Sequence, residues 1–564
     1  GLAFKEAVLQ NALKGGFNIR QCRWDPRKIS FSCSANCGCG WYVYCSIVPS
    51  RSVWQIKKYD ADHTCIPNGQ CEMLKVPHIA RMFMDKIQAD SVYWMPQRMQ
   101  DYIKEKWKIT ATKDQVQAAR KKVLKWIDKE NEDLFGHMKE YAVEIQDSNP
   151  GSTVEVGTDT NDEGEEVFSR FYVCFASVKK SWMMHCRRFI GVDGCYIRTR
   201  LKGQILVAVG RDADNRIYPI AWGVVQVENG PNWEWFIKKL QVDLDLDNGY
   251  SFILISDRQK GLLKAVAEVL PRIEHRMSVR HIYGNLKVNH GKKPKLKPLL
   301  WTLAWSYNEA DYIQNLDVMK DFDYGIYGDV MQSDPRSWCR AFQSVGYFCD
   351  DVDNNFPESF NSTLVKAREK PIMPMLELLR RTAMVRIAKR AEKAAKHQGK
   401  CTPYVAKALA LLHEEASLCR IDRASHSQFE AYLHGEQYRV NMERRTCSCR
   451  KWELIGIPCE HAYGVILTKT LEANDYVADW FLTSTWRATY EEPIIPLRGA
   501  KFWSRLDGVV HPNEPPAQPG RKKETKRKKF GRKKGVNESP TKKAPKHLKR
   551  IMHCSSCGGA GHNY

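Results

Sequence analysis

The sequence predicts a multidomain α/β protein. Three observations carry that expectation: β-rich apolar runs interleaved with helical patterns between residues 187 and 285, small Cys/His-bearing segments towards both ends, and a lysine-rich stretch after residue 512. With 564 residues, 43% of them hydrophobic and 17 tryptophans, most of the chain can bury a core. Lys+Arg 88 against Asp+Glu 65 gives a net charge of +23, which favours a polyanionic partner, nucleic acid before an anionic membrane surface. No apolar run approaches the ~20 residues of a membrane span, so no membrane partner is expected. The 19 cysteines group with histidines at short spacings, which suits zinc in a reducing compartment better than disulfides.

Taken in order, residues 1–68 read as short strands around Cys and His, because "RKISFSCSANCGCGWYVYCSIV" and "SVWQIKKYDADHTC" alternate in strand fashion. Residues 75–150 read as helical, through "KVPHIARMFMDKIQ", "MQDYIKEKWK" and "KDQVQAARKKVLKWI", until "DSNPGS" breaks the pattern with Asn-Pro and Gly. The runs "RRFIGVDGCYI", "GQILVAVGRD", "RIYPIAWGVVQ" and "SFILISD" have the length and composition of buried strands. "NWEWFIKKLQ" and "GLLKAVAEVL" are helical, so residues 187–285 form an α/β layer with a mixed sheet. Residues 286–425 are mainly helical, 435–470 form a short Cys/His segment, 512–550 are a basic disordered tail, and 551–564 carry a last Cys/His group.

Three Cys/His clusters present metal-ligand spacing. In "CSCRKWELIGIPCEH", Cys447, Cys449, Cys459 and His461 form Cys-x-Cys followed by Cys-x-His, two close pairs of the donors a tetrahedral structural zinc takes. Gly456 and Pro458 suit a tight approach before the second pair, and Trp452 and Ile455 can pack a small zinc-held module. This arrangement resembles the SWIM-type zinc finger at all four ligand positions. Near the start, Cys33, Cys39, His63 and Cys65 make a second candidate zinc site, with Cys37 competing for the place of Cys39. Cys554, Cys557 and His562 have the Cys-x2-Cys-x4-His spacing of a zinc knuckle, a grip on single-stranded nucleic acid. Its fourth ligand is expected beyond Tyr564, so tight zinc binding is not expected from these residues alone.

Two aspartates stand out in the α/β section. Asp193 lies within "GVDGCY" and Asp257 ends "FILISD"; a charge in or at the end of an apolar strand is costly unless it faces a cleft or a cation. Two such aspartates on adjacent strands, joined by a glutamate from a later helix, can hold two Mg²⁺ ions about 3.5–4 Å apart. Glu358 in "NNFPESFNS" is the candidate third carboxylate, with Glu228 and Glu234 as its rivals.

Placed together, these parts resemble a plant Mutator-like element (MuDR/MULE) transposase. "FIGVDGCYIRTRLKGQILVAVGRDADNRIYPIAWGVV" and "ISDRQKGLLKAV" carry the resemblance most specifically, and "RHIYGNL" and "NNFPESFNSTL" continue it. It implies an RNase H-like (DDE) core at 187–285 with a helical insertion, a WRKY-like β zinc domain at 1–68, the SWIM finger, and a nuclear location. It assigns Asp193, Asp257 and Glu358 as the catalytic triad using Mg²⁺, favours Cys39 over Cys37 because a cysteine stands two residues before Trp41, and implies structural Zn²⁺. The expected partner is DNA, at terminal inverted repeats or promoter-like sites, with a homo-oligomer implied by chemistry on two element ends. One position departs from the pattern: Ser278 stands three residues before His281, where the family commonly has cysteine. The family also includes host-retained DNA-binding regulators that do not transpose, so an active strand-transfer enzyme and a domesticated regulator both fit. The tail "RKKETKRKKFGRKKG" is expected to serve nuclear import and phosphate binding.

Overall fold

The computed structural model describes residues 2–34, 38–49, 53–91, 93–199 and 202–512. Cys37, the basic tail and the group Cys554, Cys557 and His562 lie outside the described residues.

The chain opens with helix α1 (Leu2–Gly15), which the strand reading of residues 1–68 did not anticipate, and continues into an antiparallel meander of β1 (Ile19–Trp24), β2 (Lys28–Cys33), β3 (Tyr42–Val48) and β4 (Val53–Asp60). Helices α2 (Val76–Ala89), α3 (Pro96–Trp107), α4 (Lys113–Gly136) and α5 (Met138–Ser148) follow. Proline near the start of α2 and α3, and a capping box between Thr112 and Gln115 on α4, set their N-termini. One apolar cluster joins α1 (Leu9, Leu13), the meander (Ile29, Phe31, Val43) and α2 to α4 (Phe83, Ile103, Val123). The small sheet is therefore stabilised by helix burial as well as by any metal.

A second sheet has seven strands: β5 (Thr153–Thr160), β6 (Glu166–Cys174), β7 (Phe189–Ile197), β8 (Gly203–Arg211), β9 (Ile217–Val225), β10 (Ile253–Ser256) and β11 (Glu274–Met277). Its order is β11-β10-β7-β8-β9-β6-β5. The steps from β7 outward to β5 are antiparallel, whereas β10 and β11 run parallel to β7. The four strands read from the apolar runs are β7 to β10; the β5–β6 hairpin and the short β11 extend the sheet on either side. Helix α6 (Ala176–His185) precedes β7, α7 (Gly230–Asp243) follows β9, and α8 (Lys260–Val269) links β10 to β11 as a parallel pair requires.

Helices α9 (Val279–His290), α10 (Leu296–Ala304), α11 (Glu309–Phe322) and α12 (Tyr324–Gln332) then pack on one another around Leu300, Met319 and Trp338, a helical cluster with its own core. The chain returns to the sheet through α13 (Asn355–Thr363), α14 (Val365–Arg368) and α15 (Ile372–Lys396), whose Phe356, Phe360 and Leu376 rejoin the central core. Helix α16 (Pro403–Ser417) leads into a third sheet of β12 (Arg420–Arg423), β13 (Gln428–Leu433), β14 (Glu436–Asn441) and β15 (Thr446–Cys447). Helices α17 (Lys451–Ile455), α18 (Glu460–Thr468) and α19 (Thr483–Thr489) are the last α-helices among the described residues. Among the described residues no helix is long and apolar enough to cross a membrane.

Candidate metal centres and carboxylate cleft

The segment that opened as two close Cys/His pairs folds into one compact cluster. Cys447 ends β15, Cys449 sits in the turn after it, Cys459 caps α18 and His461 stands in that helix's first turn. All four are buried, and their ligand atoms lie within 4.8 Å of one another. Gly456 takes φ 74°, closing α17 so that the chain can double back to Cys459; a side chain there would also meet Phe348 and Ala478. The sulfurs share charge unequally. Hydrogen bonds from Cys447 and Cys459 draw the Cys449 thiol well below its ordinary value; Cys449 pushes Cys447 up, and burial pushes Cys459 up. A dication relieves that crowding by binding all of them as thiolates. The His461 ring stacks on Tyr438 at 3.6 Å between centroids.

The N-terminal cluster is built on strand ends. Cys33 ends β2, Cys39 precedes β3, and His63 and Cys65 follow β4, again with ligand atoms within 4.8 Å of one another. Cys33 Sγ lies 3.5 Å from Cys65 Sγ, and His63 Nδ1 lies 3.4 Å from Cys39 Sγ. Burial works against ionising Cys39, but the backbone N–H groups of Trp41 and Thr64, with Cys65 and His63, bring its thiol down to about 5. Burial and the neighbouring Cys33 and Cys39 push Cys65 up to about 12. The His63 ring is held between Phe17, at 3.7 Å, and Trp41, at 5.2 Å, in near-parallel stacks. Of this cluster only Cys33 is buried. Both clusters have the donor set and closeness of a structural zinc site.

The carboxylates gather at the C-terminal end of the parallel strands. Residues 253–255 of β10 pair with 189–191 of β7 in parallel register; continued two residues further, that register brings Asp257 level with Asp193. Gly191 on β7 has no side chain, and Phe356 and Pro357 of α13 fill the space, which sets α13 directly against the strand. Asn361 of that helix donates through Nδ2 to Asp193 Oδ2 at 2.8 Å. Burial, then the charge of Asp257 and, behind it, that of Glu358, push Asp193 up to about 7, so the three acids share one electrostatic neighbourhood. Glu358 itself is ion-paired with Arg280 of α9 at 2.7 Å.

The two rival glutamates separate clearly. Glu234 is partly exposed and pairs with Lys238 at 2.6 Å, which lowers it below the usual carboxylate value. Glu228 is half-buried, accepts a hydrogen bond from Trp233 Nε1 at 3.3 Å, and is raised by burial and by the charge of Asp257. Ser278, the departure noted in the sequence, is fully buried, and its hydroxyl accepts from the backbone N–H of Asn354 at 3.2 Å, tying the start of α13 to α9. Sequence reasoning missed Phe17, Tyr438, Asn361 and Arg280. Only Asn361 had a visible signal, its spacing of three from Glu358, which puts both on neighbouring positions of one helix face.

The chain is thus a multidomain α/β protein in which a core with neighbouring acids is joined by two Cys/His clusters that are candidate zinc sites. Within it, residues 189–285 match the MULE transposase domain and residues 438–469 match the SWIM zinc finger. No curated protein matches the chain. The chain thus carries a MULE transposase domain and a SWIM zinc finger, and Cys447, Cys449, Cys459 and His461 all lie within the latter.

Proposed function

We propose that this chain is a DNA transposase of the Mutator-like type, which binds the terminal inverted repeats of its element and cleaves and transfers DNA strands with Mg²⁺. The observation that carries this reading is that Asp193 and Asp257, level on two parallel strands inside the span that matches the transposase domain, share an electrostatic neighbourhood with Glu358 of a later helix outside that span. The central order β9-β8-β7-β10-β11, antiparallel on one side of β7 and parallel on the other, supports an RNase H-like core.

The residues present fit a hard divalent cation: Asp193 and Asp257 offer carboxylate oxygens, and Asn361 Oδ1, buried beside them, has no hydrogen-bond partner. The metal, when bound, would act as a Lewis acid on the scissile phosphate and ready a water or 3′-hydroxyl for attack. Asp193 and Asp257 would hold it, Asn361 orients Asp193, and Glu358 joins only after exchanging its Arg280 partner. The exposed edges of the N-terminal meander suit DNA: β1 presents Arg20 and Arg23, and β4 presents Lys57 and Lys58, cations for phosphates beside a strand narrow enough for the major groove. The structural Zn²⁺ of the two thiol clusters shapes the recognition modules and takes no part in bond breaking. A nuclear site of action and assembly as an oligomer belong to the same reading.

The Arg280–Glu358 ion pair and Ser278 favour a second reading, a host-retained DNA-binding regulator of transcription in which the core is a scaffold. The deciding experiment is Mg²⁺-dependent nicking of a duplex drawn from the DNA flanking the coding locus. The enzyme reading expects the wild type to nick and Asp193→Ala to lose about 10²–10³-fold in rate, the size of effect expected when a group that stabilises the transition state is removed. Equal cutting by both, or DNA binding without cutting by either, overturns it in favour of the regulator.

A further inference from the structure

Glu228 is used by neither of the readings above, yet it stands against the same centre. It lies in the link from β9 to α7, and that link is drawn towards Asp257 because two glycines face each other. A Cβ on Gly261, at the start of α8, would come within 2.7 Å of the Gly230 backbone nitrogen, so the beginnings of α7 and α8 touch through bare backbone. The Glu228 carboxylate in turn rests on Gly194, the residue after Asp193: a Cβ there would stand 3.2 Å from both Cδ and Oε1 of Glu228.

Successive residues of a strand face opposite sides of a sheet, so Glu228 approaches from the side opposite Asp193 and α13. Asp257, at the strand end, is the acid common to both sides: its charge acts on Asp193 and on Glu228 alike. A second, independent feature points to a ligand here. Gln204 on β8 is 5% exposed, and its carbonyl Oε1 has no hydrogen-bond partner, although it also stands 3.2 Å from the position a Gly194 Cβ would take. A buried carbonyl oxygen without a donor, set beside the Glu228 carboxylate, is satisfied by a hard cation.

We propose that Glu228 is a fourth carboxylate of the centre and that, with Asp257 and Gln204 Oε1, it holds a divalent cation on the α7 side of the sheet, distinct from the one held by Asp193 and Asp257. The inference rests on Asp257 being a metal-binding acid, as in the function proposed above. It makes Asp257 the ligand shared by two ions and gives Gly194 a role, since any larger residue would displace Glu228.

The test is Mn²⁺ binding to the zinc-loaded full chain, with free Mn²⁺ read by electron paramagnetic resonance and folding by circular dichroism. The wild type is expected to bind two Mn²⁺. Glu228→Gln weakens one of them by about tenfold or more and leaves the other within about twofold; Asp193→Asn does the reverse, and Asp257→Asn weakens both. Gly194→Ala weakens the same ion as Glu228→Gln, whereas Glu234→Gln, paired with Lys238 in solvent, changes neither. A single Mn²⁺ lost in Asp193→Asn but indifferent to Glu228→Gln overturns this inference and leaves the proposed enzyme standing. Two ions both indifferent to Glu228→Gln, or both lost in folded Glu228→Gln, also overturn it. No Mn²⁺ bound by the wild type overturns the inference and the enzyme reading together.

Discussion

The two thiol clusters use the same four donors and the same aromatic stacking of the histidine ring, yet they sit in the molecule differently. The N-terminal cluster closes the open end of a meander that shares one core with α1 and α2 to α4; only Cys33 of its ligands is in that core, and the other three are partly buried at its edge. The SWIM cluster has all four ligands buried, and Cys447, Cys449 and Cys459 are part of the apolar core of their module with Trp452 and Val465. That module is bolted to the rest of the chain through Arg450, which donates to the carbonyls of Tyr307, Ala341 and Gln343. The difference teaches that the same donor set can close the edge of a core in one place and stand at its centre in another.

Removing a ligand therefore should cost far more in the SWIM cluster. Cys459→Ser is expected to lower stability by at least about 4 kcal/mol and to abolish hydrogen-exchange protection over β13, β14 and α18, because the core and the site are one object. Cys39→Ser is expected to cost about 2 kcal/mol, with protection lost near the ends of β2 and β4 but kept in α2 to α4. Equal losses, or loss of α2–α4 protection in Cys39→Ser, would break the comparison.

The docking contact is the next lever. Arg450→Ala leaves three buried or half-buried carbonyls without their charged donor and is expected to cost about 2–3 kcal/mol. Hydrogen exchange should show the whole SWIM module opening more often while its zinc stays bound. If instead zinc leaves with the mutation, the module depends on its docking as well as on its metal.

A milder test needs no mutation of the larger contacts. A strong chelator should strip zinc in two phases, with the N-terminal ion leaving at least about tenfold faster, equivalent to about 1.4 kcal/mol less local protection. Cys39→Ser should delete the fast phase and leave the slow one intact. A slow N-terminal phase would mean that its aromatic stack protects it as well as burial protects the other.

How much of this was legible in the sequence depended on how far apart the cooperating residues lie. The SWIM ligands fall within fifteen residues, and pairs one residue apart fix their own geometry, so the site could be read whole. His63 and Cys65 are likewise one residue apart, and the structure gathers them with Cys33 and Cys39 into a candidate cluster; the preference for Cys39 over Cys37 came from the family resemblance, and Cys37 lies outside the described residues. The central strands β7 to β10 were equally plain, because buried strands must be continuously apolar. The β5–β6 hairpin was not, since "TVEVGTDT" is half-polar and lies at the sheet edge, and α1 was passed over beside the stronger Cys/His signal. The group of acids was legible only in part. Asp193 and Asp257 announce themselves as charges in apolar runs, but Arg280 on Glu358, or Glu228 folding back over Gly194, is a tertiary contact between segments far apart in the chain, and no local pattern encodes it.

The smallest effect is expected from the ring stacks, and it sharpens the comparison most directly. Stacking fixes the histidine ring before the metal arrives, so its loss should reduce zinc affinity by preorganisation alone, about 0.5–1.5 kcal/mol or a few-fold to tenfold. Phe17→Leu removes one face of the pair around His63 and leaves Trp41 on the other, so its effect should fall at the low end of that range. Tyr438→Leu removes the 3.6 Å stack on His461 and should fall at the high end, even though its cluster is the better buried. Competition with a chromophoric zinc chelator measures both. If Phe17→Leu proves the more damaging, the exposed cluster relies on its aromatic sandwich for the order that burial gives the other.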